Sequence, residues 1–177
     1  MNLIEKILAR ASDQKEIVPG QIVDCRIDVA MINEITGGLV AKYFKDIGAK
    51  RVWDPDHAIV VIDHTVPAPT PEAADLQKLV REFAYDVGVK HFYDVGRGGI
   101  CHQVMVENGH VKPGDIAVGA DSHSCTYGAV GAFGTGIGST EMTAVFITGR
   151  LWFKVPGAYT ISVDGVLNEY VLSLIHI

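Results

Sequence analysis

Two short runs, Ala58-Ile59-Val60-Val61-Ile62 and Ile116-Ala117-Val118-Gly119, contain no polar residue at all. A strand wetted on one side alternates polar and apolar residues, whereas a strand without a polar face must be covered on both sides, as in a parallel sheet. Each run breaks off into polar residues, Asp63-His64 after the first and Asp121-Ser122-His123 just after the second. A third strand-like run, His91-Phe92-Tyr93-Asp94-Val95, passes through Gly96-Arg97-Gly98-Gly99 to Cys101-His102.

The intervening segments read as helices. Residues 1–11 are amphipathic, with Leu3, Ile4, Ile7, Leu8 and Ala11 on one face. Thr36 can cap a helix to about Ile47 that Gly48 stops, and Thr70 with Pro71 opens another that presents Ala74, Leu79, Phe83 and Val87 to the core. After the Pro19-Gly20 turn, the spacing of Ile22, Cys25, Ile27 and Val29 reads as one strand. A glycine-rich loop from Gly128 to Gly138 precedes a helix capped by Ser139 and running to about Leu151. This alternation predicts the α/β class: one domain over 1–171, three layers (α/β/α), with a largely parallel sheet.

Composition narrows the function. The net charge of −6 and the absence of any Lys/Arg block exclude a basic groove for nucleic acid. No segment approaches the ~18 uninterrupted apolar residues of a membrane span, and the charges within MNLIEKILAR are unlike a signal peptide. Three cysteines, few and odd in number, fit a reducing, cytoplasmic setting.

The polar residues past the strand ends are the candidate site. In open α/β sheets ligands bind beyond the carboxyl ends of the strands, which would bring Asp63, His64, His102, Asp121 and His123 around one crevice, with Ser122 beside them. A histidine held by a carboxylate keeps one tautomer and a raised proton affinity, so it can protonate a leaving hydroxyl. Hydroxide still leaves poorly without a Lewis acid, which these residues do not themselves supply.

Rival patterns fail or stay weaker. Gly131, Gly134, Gly136 and Gly138 match neither phosphate-loop nor dinucleotide spacing. Cys25, Cys101 and Cys125 contain no C-x-x-C pair, and Ser122 lacks the G-x-S-x-G elbow of a hydrolase. A self-contained metal-dependent hydrolase using the same Asp and His residues as ligands remains an alternative of a different class.

The strings GGICHQVMVENG (98–109) and PGDIAVGADSHSCTYGAVGAFGTGIGSTEM (113–142), with VVIDH (60–64), Thr36 and GLVAKYF (38–44), closely resemble the iron–sulfur-dependent large subunits of the aconitase superfamily. The resemblance runs from about Leu3 to about Val171 and is nearest to 3-isopropylmalate dehydratases, with homoaconitases and dimethylmalate dehydratases close behind. It implies the first domain of the aconitase fold and reversible dehydration of a hydroxy-di- or tricarboxylate on a [4Fe–4S] cluster, as in leucine biosynthesis. A separate small subunit, in a heterodimer or heterotetramer, is implied as partner.

Carried over by motif, His64 becomes the acid to the leaving hydroxyl and Asp63 its orienting partner. His102, Asp121 and His123 become hydroxyl-, water- and cluster-side groups, and Ser122 and Thr36 substrate-binding residues. Gly37-Gly38 stands where aconitases proper carry a glutamine after the threonine, which favours the isopropylmalate/homoaconitate branch, and Ser124 replaces the usual threonine after D-S-H. The family's cluster cysteines, one alone and two as C-x-x-C, match none of the cysteines here, nor do its serine base and carboxylate-gripping arginines find a match. The expectation is therefore a truncated chain, inactive and without a cluster on its own, whose residues 172–177 leave the family pattern as a non-native tail.

Overall fold

The computed structural model describes residues 1–171; the expected non-native tail, 172–177, lies outside them. In chain order the elements are α1 (Leu3–Ala11), β1 (Ile22–Arg26), β2 (Val29–Asn33), α2 (Glu34–Ile47), β3 (Ala58–Val61), α3 (Pro71–Asp86), β4 (His91–Tyr93), α4 (Cys101–Glu107), β5 (Ile116–Gly119), a 3₁₀ segment (Ser122–Val130), β6 (Phe133–Gly136), α5 (Ser139–Thr148) and β7 (Arg150–Lys154). Five strands form a sheet in the order β4-β3-β2-β5-β6, and every neighbouring pair in it is parallel. The chain thus builds outward from β2 to β4, then returns to the other side of β2. That reversal puts a topological switch point between β2 and β5, the usual place for a ligand crevice.

Alternation along β2 shows why the apolar runs had to be covered twice. Ala30 and Ile32 join a core with Val40, Phe44, Val80, Phe83, Met142 and Phe146 of α2, α3 and α5. Val29 and Met31 face the opposite core, with Cys101, Val104 and Met105 of α4 and Tyr127 of the 3₁₀ segment. Helical layers on both faces give the expected three-layer α/β/α arrangement. On the first face, Phe83 sits edge-on to Phe44 at 5.3 Å and stacks with Phe146 at 6.5 Å. Each buried ring contributes about 1.5–3 kcal/mol through burial.

Several local expectations need correction. The stretch from Ile22 to Val29 is two strands: β1 pairs antiparallel with β7 in a separate two-stranded sheet, and β2 enters the main sheet. In β1 only Val23 and Cys25 turn inward, and Ile22 is exposed. Thr36 is not the cap of α2; Asn33 is, its Oδ1 accepting from the Thr36 N–H at 3.1 Å. Thr70 does cap α3, but its buried face is Gln77, Val80, Phe83 and Ala84, while Ala74 and Leu79 are exposed. α5 starts after Gly138, without a side-chain cap, and stops at Gly149, so that Leu151 belongs to β7.

The largest revision concerns the glycine-rich loop, which contains an edge strand, β6. A Cβ on Gly134 would lie 2.5 Å from the Ser124 carbonyl oxygen, and one on Gly136 would lie 2.5 Å from that of Asp121. These glycines let the 3₁₀ segment lie flat against β6. They position the residues after β5 and are not a phosphate cradle.

Candidate active site

The carboxyl ends of β3 and β5, with the start of α4, open onto a cleft of about 210 Å³ lined by Asp63, His64, Ile100, Cys101, His102, Asp121 and His123. All five Asp and His residues expected to converge therefore do so. Ser122 lines an adjoining 550 Å³ cavity with Cys125, Thr135 and Gly136–Gly138. Thr36 lines neither cavity, because its hydroxyl is turned to Asn33 Oδ1 at 3.1 Å.

Asp121 is the hub. Its Oδ1 accepts from His102 Nε2 at 2.9 Å and from the His123 N–H at 2.8 Å. Its Oδ2 lies 3.5 Å from Asn33 Nδ2 and 3.6 Å from His64 Nε2. Burial works against its charge, but the His123 N–H and the bond and charge of His102, with that of His123, prevail and hold its pKa below the usual carboxylate range. His102 has both ring nitrogens occupied, since Nδ1 lies 3.1 Å from the hydroxyl of buried Tyr127. With Nε2–H donated to Asp121, Nδ1 accepts from Tyr127. His123 is the open member: its side chain is 83% exposed, against 12% for Asp121.

His64 is held differently. Its Nδ1 is 2.5 Å from Asp63 Oδ1, so Nδ1–H faces the carboxylate and Nε2 faces the cleft. Asp63 is fixed in turn, its Oδ2 accepting from the Cys101 N–H at the start of α4 at 2.6 Å. Partial burial opposes charge on His64, but the Asp63 bond and the charges of Asp63, Glu34 and Asp121 outweigh it and raise its pKa above the ordinary 6.5. The folded chain thus binds this proton more tightly than the unfolded chain. The resulting stability is complete below pH 6.5 and is lost as pH rises through the raised folded value. Urea unfolding at stepped pH should show the advantage of the native chain over a His64→Gln variant shrinking across that interval; a constant difference would contradict the assignment.

Three residues of this neighbourhood escaped the sequence reading. Asn33 caps α2 and reaches Asp121. Tyr127 anchors His102. Glu34, fully buried at the start of α2, accepts from the N–H groups of Asp63 at 3.0 Å and Thr65 at 2.6 Å, and from the Thr65 hydroxyl at 2.9 Å. A charged residue among apolar neighbours at a helix start was the available signal for Glu34; nothing comparable marked Tyr127.

The cysteines do not suit an iron–sulfur cluster. Cys25 and Cys101 lie in the cores on opposite sides of the sheet, and Cys125 is exposed. Burial pushes the Cys25 thiol up to about 11 and raises that of Cys101 too, the reverse of what a thiolate ligand requires. Two groups, His102–Asp121–His123 and Glu34–Asp63–His64, bring possible metal-ligand atoms within 4.8 Å of one another, and neither includes a cysteine. Their carboxylates are already engaged by the N–H groups and rings described above.

Gly37 and Gly38 lie away from the cleft. A Cβ on Gly37 would press on Val80 and one on Gly38 would meet Leu76 Cδ1 at 2.4 Å, so both serve the contact of α2 with α3.

Comparison with known proteins shows the family. Residues 5–173 match the Aconitase family (aconitate hydratase). The 3-isopropylmalate dehydratase large subunit 1 of Methanopyrus kandleri is 54% identical over 167 residues, covering 94% of this chain and 40% of that protein. A probable 3-isopropylmalate dehydratase large subunit of Methanothermobacter thermautotrophicus is 52% identical, with 97% and 41% covered. A probable methanogen homoaconitase large subunit of the same organism is 49% identical, with 93% and 39% covered. The chain thus spans about two fifths of the length of these relatives.

Proposed function

The chain belongs to the aconitase family, and from that premise we propose that it supplies the acid side of a hydro-lyase active site, in a large subunit that interconverts 2- and 3-isopropylmalate by dehydration and rehydration. One observation carries the reading: the ring of His64, fixed at Nδ1 by Asp63, presents Nε2 to a cleft at the switch point. In dehydration the carbon–oxygen bond breaks and the departing hydroxyl takes the Nε2 proton, leaving as water. In hydration His64 takes that proton back. Asp63 keeps the ring in one tautomer and favours its charged form between these steps. Asp121, held by His102 and the His123 N–H, presents a fixed anion beside Nε2. His123 in the cleft and Ser122 in the adjoining cavity are groups for water and substrate carboxylates, while Thr36 stands behind them, its hydroxyl bonded to Asn33.

The remaining parts lie in the longer polypeptide and its partner. The family implies a [4Fe–4S] cluster, and its cysteine ligands belong outside these residues, as do the base for the carbon-bound proton and the arginines for the carboxylates. The named large subunits support a small-subunit partner, and a cytoplasmic biosynthetic role belongs to the same reading. Homoaconitate and dimethylmalate are the neighbouring substrates. Gly37 and Gly38 pack against α3, away from the cleft, and are not themselves substrate contacts on this reading.

Two experiments test this. Assay of the longer polypeptide with its small subunit against the three hydroxy acids is expected to show fastest turnover with isopropylmalate; no turnover of any would overturn the proposal. Anaerobic reconstitution of the 177-residue chain with iron and sulfide is expected to give no stoichiometric thiolate–iron absorption in the visible. A stoichiometric cluster would place the ligands among Cys25, Cys101 and Cys125 after all.

A further inference from the structure

We propose that Glu34 is the positioning residue of His64, clamping the Asp63–Thr65 turn from beneath so that the imidazole stays aligned with the cleft. This rests on the reading of His64 as the acid. Glu34 is fully buried, and its two oxygens take three donors from one three-residue turn: Oε2 the Asp63 N–H, Oε1 the N–H and hydroxyl of Thr65. His64 is the residue between. The far side of the turn is tied as well, because Gln77 of α3 donates to the Thr65 carbonyl at 2.7 Å. Asp63 is in turn pinned by the Cys101 N–H. The ring is thereby referenced to α2, α3 and α4 at once.

The chemical identity of Glu34 matters to this role. A buried carboxylate is costly unless donors surround it, and here the start of α2 adds its own favourable dipole. Every group facing Glu34 in the turn is a donor, so the site needs a residue that only accepts. Glutamine, nearly the same shape, would turn an NH₂ toward an N–H. A residue that only filled space would tolerate that exchange. A residue that sets the angle of the ring would not.

The test is nitrogen NMR of the chain itself. In the native protein the Asp63 and Thr65 amides are expected to exchange slowly, and the His64 ring to show the fixed Nδ1–H tautomer when neutral. In Glu34→Gln those two amides should exchange at least about tenfold faster, the worth of one hydrogen bond, and the ring should average between tautomers, while β2 and β5 amides stay protected. Thr65→Val, which keeps the carboxylate and both N–H bonds, should retain the native ring pattern. A Glu34→Gln protein with an unchanged His64 pattern would overturn the proposal. Should that variant fail to fold, Asp63 and Thr65 amides exchanging at free-loop rates in the native chain would overturn it equally. An altered ring pattern in Glu34→Gln, with dehydration untouched by His64→Gln, would leave the clamp standing and remove the acid role.

Discussion

His64→Gln should lower hydroxy-acid dehydration by the longer polypeptide about 10²–10⁴-fold, the usual contribution of a general acid, while moving its melting temperature by no more than roughly 2 °C. The two effects separate because of where the ring sits. Its side chain is 39% exposed, so exchange for an amide of similar reach removes little packing. Glutamine can still donate to Asp63, keeping that carboxylate engaged, but it has no proton to release to a leaving hydroxyl. Turnover at saturating substrate and a thermal melt on the same preparation check both halves. A fall in turnover matched by a large fall in melting temperature would instead make His64 a structural residue.

The largest stability effects should come from two glycines with no chemistry of their own. Gly134→Ala and Gly136→Ala each drive a methyl into backbone, 2.5 Å from the carbonyl oxygens of Ser124 and Asp121 respectively. Backbone cannot swing aside as the end of a side chain can, so β6 or the 3₁₀ segment must shift. Each substitution should cost about 3 kcal/mol, or roughly 6–12 °C in melting temperature for a domain of this size. Gly128→Ala is the control, since a Cβ there meets nothing within 4 Å. Melting followed by circular dichroism should leave Gly128→Ala close to the native chain and the other two far below it. If all three melted alike, the 3₁₀ segment would not be held against β6 as described.

The sequence made the site more legible than the fold around it. Buried parallel strands need apolar residues on both faces, so Ala58–Val61 and Ile116–Gly119 announced themselves, and the polar residues beyond them had to lie at the carboxyl edge of the sheet. β6 did not announce itself, because an edge strand of Phe-Gly-Thr-Gly has neither alternation nor β-branched bulk; its glycines answer to a segment packed across them. The cap of α2 lies three residues before the expected one: Asn33 and Thr36 both have capping side chains, and the bonds between them show that Asn33 accepts and Thr36 donates. Glu34 was hidden for a related reason. Its partners lie about thirty residues away in sequence, a pairing that no local pattern encodes.

What sets the proposed chemistry apart is the assignment of the leaving-group proton to His64 Nε2. The most direct test replaces the substrate hydroxyl by chloride, which departs without needing a proton, and compares native and His64→Gln forms of the longer polypeptide with both substrates. The predicted result is a loss of at least about 10²-fold with the hydroxy acid and little loss with the chloro acid. Equal losses with the two substrates would contradict the role of His64 as the acid.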